Sequence, residues 1–240
     1  MATLLLKLVG PMQSWGSHSR FDYRDTEREP TKSGVLGLVA AALGRDRSEP
    51  VDDLASLRLG VRVDREGSVA VDFQTAQDVI KANVSREKWE RARSKGKTTG
   101  TQDTVVSRRQ YLADAAFLVG LEGDGELLRD IEDALHRPRW ALFLGRKGYV
   151  PAEPVYFAEG GIQQEGLEAA LARGPLLIDP TEKGDGVRYV VELSPNCNVE
   201  LPWQIREIWD QPLGPFARRA FGARRVGEVT LPWGKEPLCT

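Results

Sequence analysis

Several groups of residues could act on a polyanion. The longest is basic: Lys81, Arg86, Lys88, Arg91, Arg93, Lys95 and Lys97, with only Glu87 and Glu90 among them. Residues 94–104 follow as a polar tip rich in Gly, Thr and Lys. Arg108, Arg109 and Tyr111 then stand just before the apolar run at residues 115–121. A cationic protrusion rooted between two buried strands can grip a polyanion, because each phosphate it neutralises releases counterions. Without its flanks the same run reads as a solvated loop. The flanks argue otherwise, since charge and an aromatic ring meet where the protrusion joins the sheet.

Two smaller groups have two readings each. Pro30-Thr31-Lys32-Ser33-Gly34 opens a helix over residues 35–43. Free N–H groups at its start, with Lys32 beside them, suit a phosphate, although the Gly and Lys spacing is not that of a P-loop. The other reading is ordinary capping by Ser33 or Thr31, with close helix–sheet packing through Gly34 and Gly37. In the loop Met12-Gln13-Ser14-Trp15-Gly16-Ser17, Trp15 is either a core plug or a platform on which a base stacks. Arg146 and Lys147 sit in a Gly-flanked turn, Gly145-Arg146-Lys147-Gly148-Tyr149.

Catalytic signals are weak. The histidines His18 and His136 and the cysteines Cys197 and Cys239 are far apart, with no HExxH or DxD spacing, so no metal and no cofactor is expected. No GxSxG follows a strand. A metal-independent ribonuclease needs only a base, an acid and a cationic clamp, for which His18, Tyr23, Tyr111 and Lys147 are the candidates. Such isolated side chains in polar loops are ordinarily surface residues, so no catalytic residue is assigned.

The composition accommodates a binder with one basic face. The chain has 240 residues, 41% of them hydrophobic, enough for a real core. A net charge of −2 argues against indiscriminate nucleic-acid binding. The acids cluster at residues 120–133 and 159–168, away from the basic run. The two distant cysteines suggest a reducing, cytoplasmic setting. The N-terminal MATLLLKLVG reads as a strand rather than a signal peptide, and no apolar run reaches the roughly 20 residues of a membrane helix.

The elements that must position these groups follow from periodicity. Residues 3–9 form an apolar strand. Residues 57–64 alternate as a half-buried strand, turning at residues 65–68 into a strand at 69–73. After the protrusion come the strand at 115–121, a helix at about 126–136 with Leu127, Leu128, Ile131 and Leu135 on one face, and a short apolar stretch at 140–144. The order strand, helix, strand, strand, helix, strand predicts an α+β, ferredoxin-like fold over residues 1–150, with a thumb insertion at about 78–110. Residues 151–240 read as a smaller β-rich region with a strand at 187–193, a helix at 164–172, and Arg218, Arg219, Arg224 and Arg225 around Phe216 and Phe221.

Four segments in order, GPMQSWG, PTKSGVLGLVAAALG, RRQYLADAAFLV and LGRKGYVP, resemble the CasD family of type I-E CRISPR Cascade complexes, within the RAMP superfamily. The resemblance covers nearly the first two-thirds of the chain. It implies an RRM-like RAMP domain in a non-catalytic subunit that holds the crRNA 5′ handle and caps one end of an antiviral ribonucleoprotein. The thumb would contact an adjacent Cascade backbone subunit, the Cascade large subunit would dock nearby, and target DNA would be met only through the complex. It places Gln13 and Trp15 beside the handle, Lys32, Ser33 and Gly34 at a phosphate, Arg108, Arg109 and Tyr111 at the thumb base, Lys95 and Lys97 on the thumb, and Arg146 and Lys147 on the facing loop. The alternative it implies is a pre-crRNA processing endonuclease, as in the type I-C relative.

Overall fold

In the computed structural model, which describes residues 2–17, 22–80, 83–96, 102–194 and 203–237, the chain runs through β1 (Ala2–Val9), β2 (Met12–Gln13), β3 (Tyr23–Arg24), α1 (Lys32–Leu43), α2 (Asp52–Ala55), β4 (Arg58–Arg65), β5 (Ser68–Ile80), α3 (Arg86–Ser94), β6 (Gln102–Ala113), β7 (Ala116–Gly123), α4 (Gly125–His136), β8 (Ile162–Gln163), α5 (Leu167–Arg173), β9 (Val187–Glu192), β10 (Gln204–Pro212) and β11 (Phe221–Leu231). Seven strands form one sheet in the order β10-β11-β9-β4-β7-β1-β8. A second sheet holds β2, β6 and β3 side by side, with β5 paired to β6. Among the described residues no helix is long and apolar enough to cross a membrane.

Strand alternation divides the large sheet between two cores. On β1, Leu4, Leu6 and Leu8 face α1 and α4, while Leu5 faces the layer under α5. The first core takes the all-apolar α1 through Val35, Leu36 and Val39, and α4 through Leu128, Ile131 and Leu135. Asp124 caps α4, accepting from the N–H groups of Glu126 and Leu127. Gly44 ends α1 at φ 74, a conformation open to glycine.

The structure corrects several expectations. β4 is buried on both faces rather than half-buried, because α5 lies across the side that carries Gly60 and Arg62. The apolar stretch at 140–144 is loop: Leu144 is buried, but Trp140 is 44% exposed, and the strand beside β1 on the side away from β7 is β8. The expected boundary at residue 150 falls inside one sheet, since β9 hydrogen-bonds directly to β4 and leads on to β11 and β10. The protrusion, expected to be rooted between two strands, is a long hairpin in which β5 and β6 themselves run out to Ile80 and Gln102, with α3 near its tip.

Candidate nucleic-acid interface

The β5–β6 hairpin pairs in register from Ser68↔Ala113 to Ala76↔Val105, with an irregularity between Ala76 and Val79. Beyond its root it leaves the core, and most β5 side chains from Val71 outward are exposed. α3 is built from local terms alone. Ser85 caps it, accepting from the Lys88 N–H, and Arg86 pairs with Glu90 one turn on at 3.1 Å. None of its residues is buried, and Trp89 is shielded only in part, with the Arg93 guanidinium 5.1 Å from its ring. Lys88, Arg91 and Lys95 are exposed around it. Lys97, like Lys81, lies outside the described residues.

The hairpin root presents two distinct faces, because neighbouring residues on β6 point to opposite sides. On one face stand Arg109 and Tyr111. The Tyr111 ring meets Tyr149 at 6.0 Å between centroids, and the Arg146 guanidinium lies 5.5 Å from the Tyr149 ring while donating to its hydroxyl at 3.1 Å. The strand and the turn at residues 144–149, separate in sequence, therefore form one basic-aromatic cluster. Lys147 is exposed at the apex of that turn. On the other face, Arg108 lies between Phe73 across one strand pair, 5.4 Å from its ring, and Tyr23 across the other. Phe73 is 62% exposed and Tyr23 50%.

Sequence reasoning missed Phe73 and Tyr149. Phe73 falls at the end of the strand expected at 69–73, with no role for its ring. The signal was there in Val69, Val71 and Phe73, which alternate onto the same side as Arg108, but alternation does not say whether anything covers that side.

A glycine shapes the 144–149 turn. Gly145 has φ 86, and a Cβ on it would sit 1.7 Å from the Ser14 carbonyl oxygen. Ser14 in turn donates from its hydroxyl to the Gln110 carbonyl on β6 at 3.2 Å. Gly145→Ala is expected to displace Arg146 and Tyr149 together, costing about 1–3 kcal/mol of stability and weakening any affinity of this surface for a single-stranded nucleic acid in a filter assay. A variant with wild-type affinity would show that the turn does not set the interface.

The other anticipated contacts are turned inward. Gln13 is fully buried: its amide donates to the carbonyls of Leu8 (3.0 Å) and Ala115 (2.8 Å), and its oxygen accepts from the Trp15 indole (3.2 Å). Trp15 is a core plug, and Gly34 exists to make room for it, since a Cβ there would lie 2.8 Å from the ring. Lys32 is buried, with its ammonium 3.0 Å from Glu192, and burial holds its pKa below the ordinary lysine value despite that carboxylate. The start of α1 is already occupied: the Lys32 N–H donates to Asp210 at 2.7 Å, and Thr31 gives no side-chain cap. The expected phosphate site at Lys32, Ser33 and Gly34 therefore holds a carboxylate of the chain itself, and Ser33 is half-buried beside it.

Electrostatics separates the two populations of cations. In the body of the sheet Arg58, Arg62, Arg188 and Arg224 are paired with carboxylates. Arg108, Arg109, Arg146 and Lys147 form no ion pair among the described residues. Around Arg108 an unpaired cation stands between the exposed rings of Phe73 and Tyr23, whereas Tyr149, 6% exposed, anchors Arg146 from within the core; cations beside exposed rings are the makings of a surface for single-stranded nucleic acid. As for chemistry, Tyr23 is exposed beside Arg108, Tyr111 is packed against Tyr149, and His18 lies outside the described residues. No group of three or more His, Cys, Asp or Glu among the described residues could hold a metal.

These features define a protein of mixed α+β fold with a basic-aromatic hairpin. Residues 3–227 match the family described as CRISPR-associated protein (Cas_Cas5), and the chain belongs to that family. It is 32% identical over 217 residues to the CRISPR system Cascade subunit CasD of Escherichia coli (strain K12), covering 85% of this chain and 93% of the relative. A solved structure described as a Cas protein superposes with a TM-score of 0.73 at 43% identity, over 98% of this chain and 97% of the other. A chain from a CRISPR RNA-guided surveillance complex superposes with a TM-score of 0.69 at 30% identity, over 96% and 90%.

Proposed function

We propose that this chain is a non-catalytic, RNA-binding subunit of a Cascade-type CRISPR surveillance complex. In this reading it holds the 5′ handle of the CRISPR RNA and caps one end of the assembly in the cytoplasm. The observation that carries the reading is the contact of Tyr111 with Tyr149 and of Tyr149 with Arg146, which joins the hairpin root to the facing turn, with Arg109 on the same face of β6 and neither arginine in an ion pair among the described residues. The likeness to a Cascade subunit and to a surveillance-complex chain supports it. The run β1, α1, β4, β7, α4, β8, with strand order β4-β7-β1-β8, supports a ferredoxin-like unit, and the β5–β6 hairpin is its thumb. The hairpin reaches toward a neighbouring backbone subunit, and target DNA is met through the complex.

Handle affinity is expected to fall steeply with salt. Arg108→Ala with Arg109→Ala should flatten the log–log salt dependence by about 1.4, at about 0.7 per lost contact on a single strand. An unchanged slope would remove both arginines from the interface. α3 is shorter than an isolated helix needs to be stable and has no buried residue. Its amides should therefore exchange rapidly in the free chain and be protected once RNA and a neighbour are bound. Strong protection of Glu87 to Ser94 without RNA would contradict this.

The decisive assay is a single-turnover incubation of end-labelled repeat RNA with excess protein, with and without metal. Tight binding without cleavage is expected. A site-specific cut at the handle boundary, lost in Tyr23→Phe, Tyr111→Phe or Lys147→Ala, would replace this reading with that of a metal-independent processing endonuclease.

A further inference from the structure

The large sheet is covered unevenly. One face is closed by α1 and α4. The other is closed by α5 over β1, β4 and β7, by the segment around Trp233, and by Trp203 and Leu193 over Gly227 of β11, whereas the rest of the β10–β11 hairpin, around Glu207, Trp209 and Arg225, is covered by nothing among the described residues. Alternation puts Ile205, Glu207 and Trp209 of β10 on that open side, where Ile205 is 48% and Trp209 57% exposed. Trp203 lies at the near end of the same side, against Gly227, the partner of Ile205: a Cβ on Gly227 would be 2.7 Å from its ring.

Trp209 is held outward by the backbone. The pairing slips between Ile208 and Gln211, so β10 carries one more residue there than β11. Alternation continued from Ile208 turns Asp210 into the core, where it is 1% exposed and clamps Arg224, and leaves the indole of Trp209 in solvent at the edge of the slip. A large apolar ring fixed in place by a buried ion pair at its neighbour is a preorganised anchor.

The surrounding charge is positive. Arg225 lies across from Glu207, and Arg218 and Arg219 belong to the turn that precedes β11. None of the three arginines forms an ion pair among the described residues. Arg219 adopts φ 50, the left-handed region in which a glycine or asparagine would be at ease. An arginine kept under that strain points to a use for its side chain.

We infer that the outer face of the β10–β11 hairpin is a docking surface for another protein of the assembly, one presenting an apolar recess for Trp209 and a rim of carboxylates for Arg218, Arg219 and Arg225. A protein fits better than nucleic acid: Ile205 offers no stacking face and Glu207, at the centre of the patch, would repel a phosphate, whereas Trp and Arg are the residues that anchor protein interfaces. The inference rests on the reading of the chain as a subunit of an RNA-guided complex, and the hairpin is separate in sequence and sheet from the proposed RNA contacts.

The test is co-expression of the tagged chain with the other proteins of its CRISPR locus and a CRISPR RNA, followed by native mass spectrometry of what it carries. Wild type should retain RNA and protein partners. Trp209→Glu should reduce the occupancy of one protein by about tenfold or more while RNA is retained, and Arg218→Glu with Arg219→Glu should weaken the same protein. Retention of every protein by both variants would overturn the inference. So would loss of RNA with the proteins kept, which would make this a nucleic-acid face, and so would a free-chain dimer broken by Trp209→Glu, which would make the occupant a second copy. A wild-type chain that carries neither RNA nor protein would overturn the assembly reading itself. Should Trp209→Glu fail to fold, hydroxyl-radical oxidation of wild-type Trp209 decides: several-fold protection on assembly supports the inference, and unchanged oxidation overturns it.

Discussion

Asp210→Ala is expected to destabilise the chain by about 3–5 kcal/mol in urea unfolding, the loss typical of removing one partner of a buried ion pair. The side chain is almost wholly buried and has three bonds: to the Lys32 N–H at 2.7 Å, to Arg224 Nε at 2.5 Å and to Arg224 Nη2 at 2.9 Å. It thus closes the N-terminus of α1 and ties that helix to the β10–β11 hairpin, which comes from the other end of the chain. Removal strands the Arg224 guanidinium, with Glu192 at 3.8 Å the one carboxylate left to it among the described residues, and frees the helix start. Asp210→Asn keeps an acceptor for the Lys32 N–H but not the charge, so it should fall between wild type and Ala. A loss below about 1 kcal/mol for Ala would mean that the cluster relaxes without its aspartate.

The same cluster carries a pH dependence whose sign follows from Lys32. Burial lowers its folded-state pKa, more than Glu192 raises it. Between that depressed value and the ordinary lysine value near 10.4, the unfolded chain binds the proton more tightly, so stability from this group rises with pH across the window and is lost as pH falls through the folded pKa. Lys32→Met should abolish that rise. A slope unchanged in the variant would assign it to another group.

Arg62→Ala is expected to be as damaging, at about 3–5 kcal/mol. Arg62 and Asp64 form a buried pair at 2.6 Å. The guanidinium also donates to the carbonyls of Leu171, Gly174 and Pro175, completing the C-terminal end of α5. Ala leaves Asp64 unpaired except for the Leu177 N–H and leaves those carbonyls without their donor. Arg62→Met fills the volume without restoring any of these bonds, so it should recover little. Thermal melts of both variants, monitored by far-UV circular dichroism, provide the check, and near-wild-type stability in Met would show that packing rather than pairing holds the site.

Much of the scaffold was legible in local sequence. The unbroken apolar run of β1, the small apolar residues of α1 ending at Gly44, and the one-sided leucines of α4 behind Asp124 each announce an element by period and cap, because those depend on neighbours a few residues away. The basic run and the Arg-Arg-Gln-Tyr root of the hairpin were visible for the same reason.

Tertiary structure alone decided which polar side chains meet solvent. Arg62 alternates as an exposed residue would, yet α5, from a segment more than a hundred positions later, lies over it. Lys32 sits where a phosphate-binding lysine could, yet Asp210 arrives from 178 residues away and occupies the helix start. In β10 the exposed side carries Ile205 and Trp209 and the inner side Arg206 and Asp210, so hydropathy does not alternate as burial does and the strand is hidden. Period and capping are properties of one segment, whereas coverage is a property of two, and the second partner's position depends on how the whole sheet is ordered. For that reason the sequence by itself determined where the cations and aromatics are, and only the fold decided that Arg108, Arg109 and Arg146 remain open to a ligand while Lys32, Arg62 and Arg224 hold the protein together.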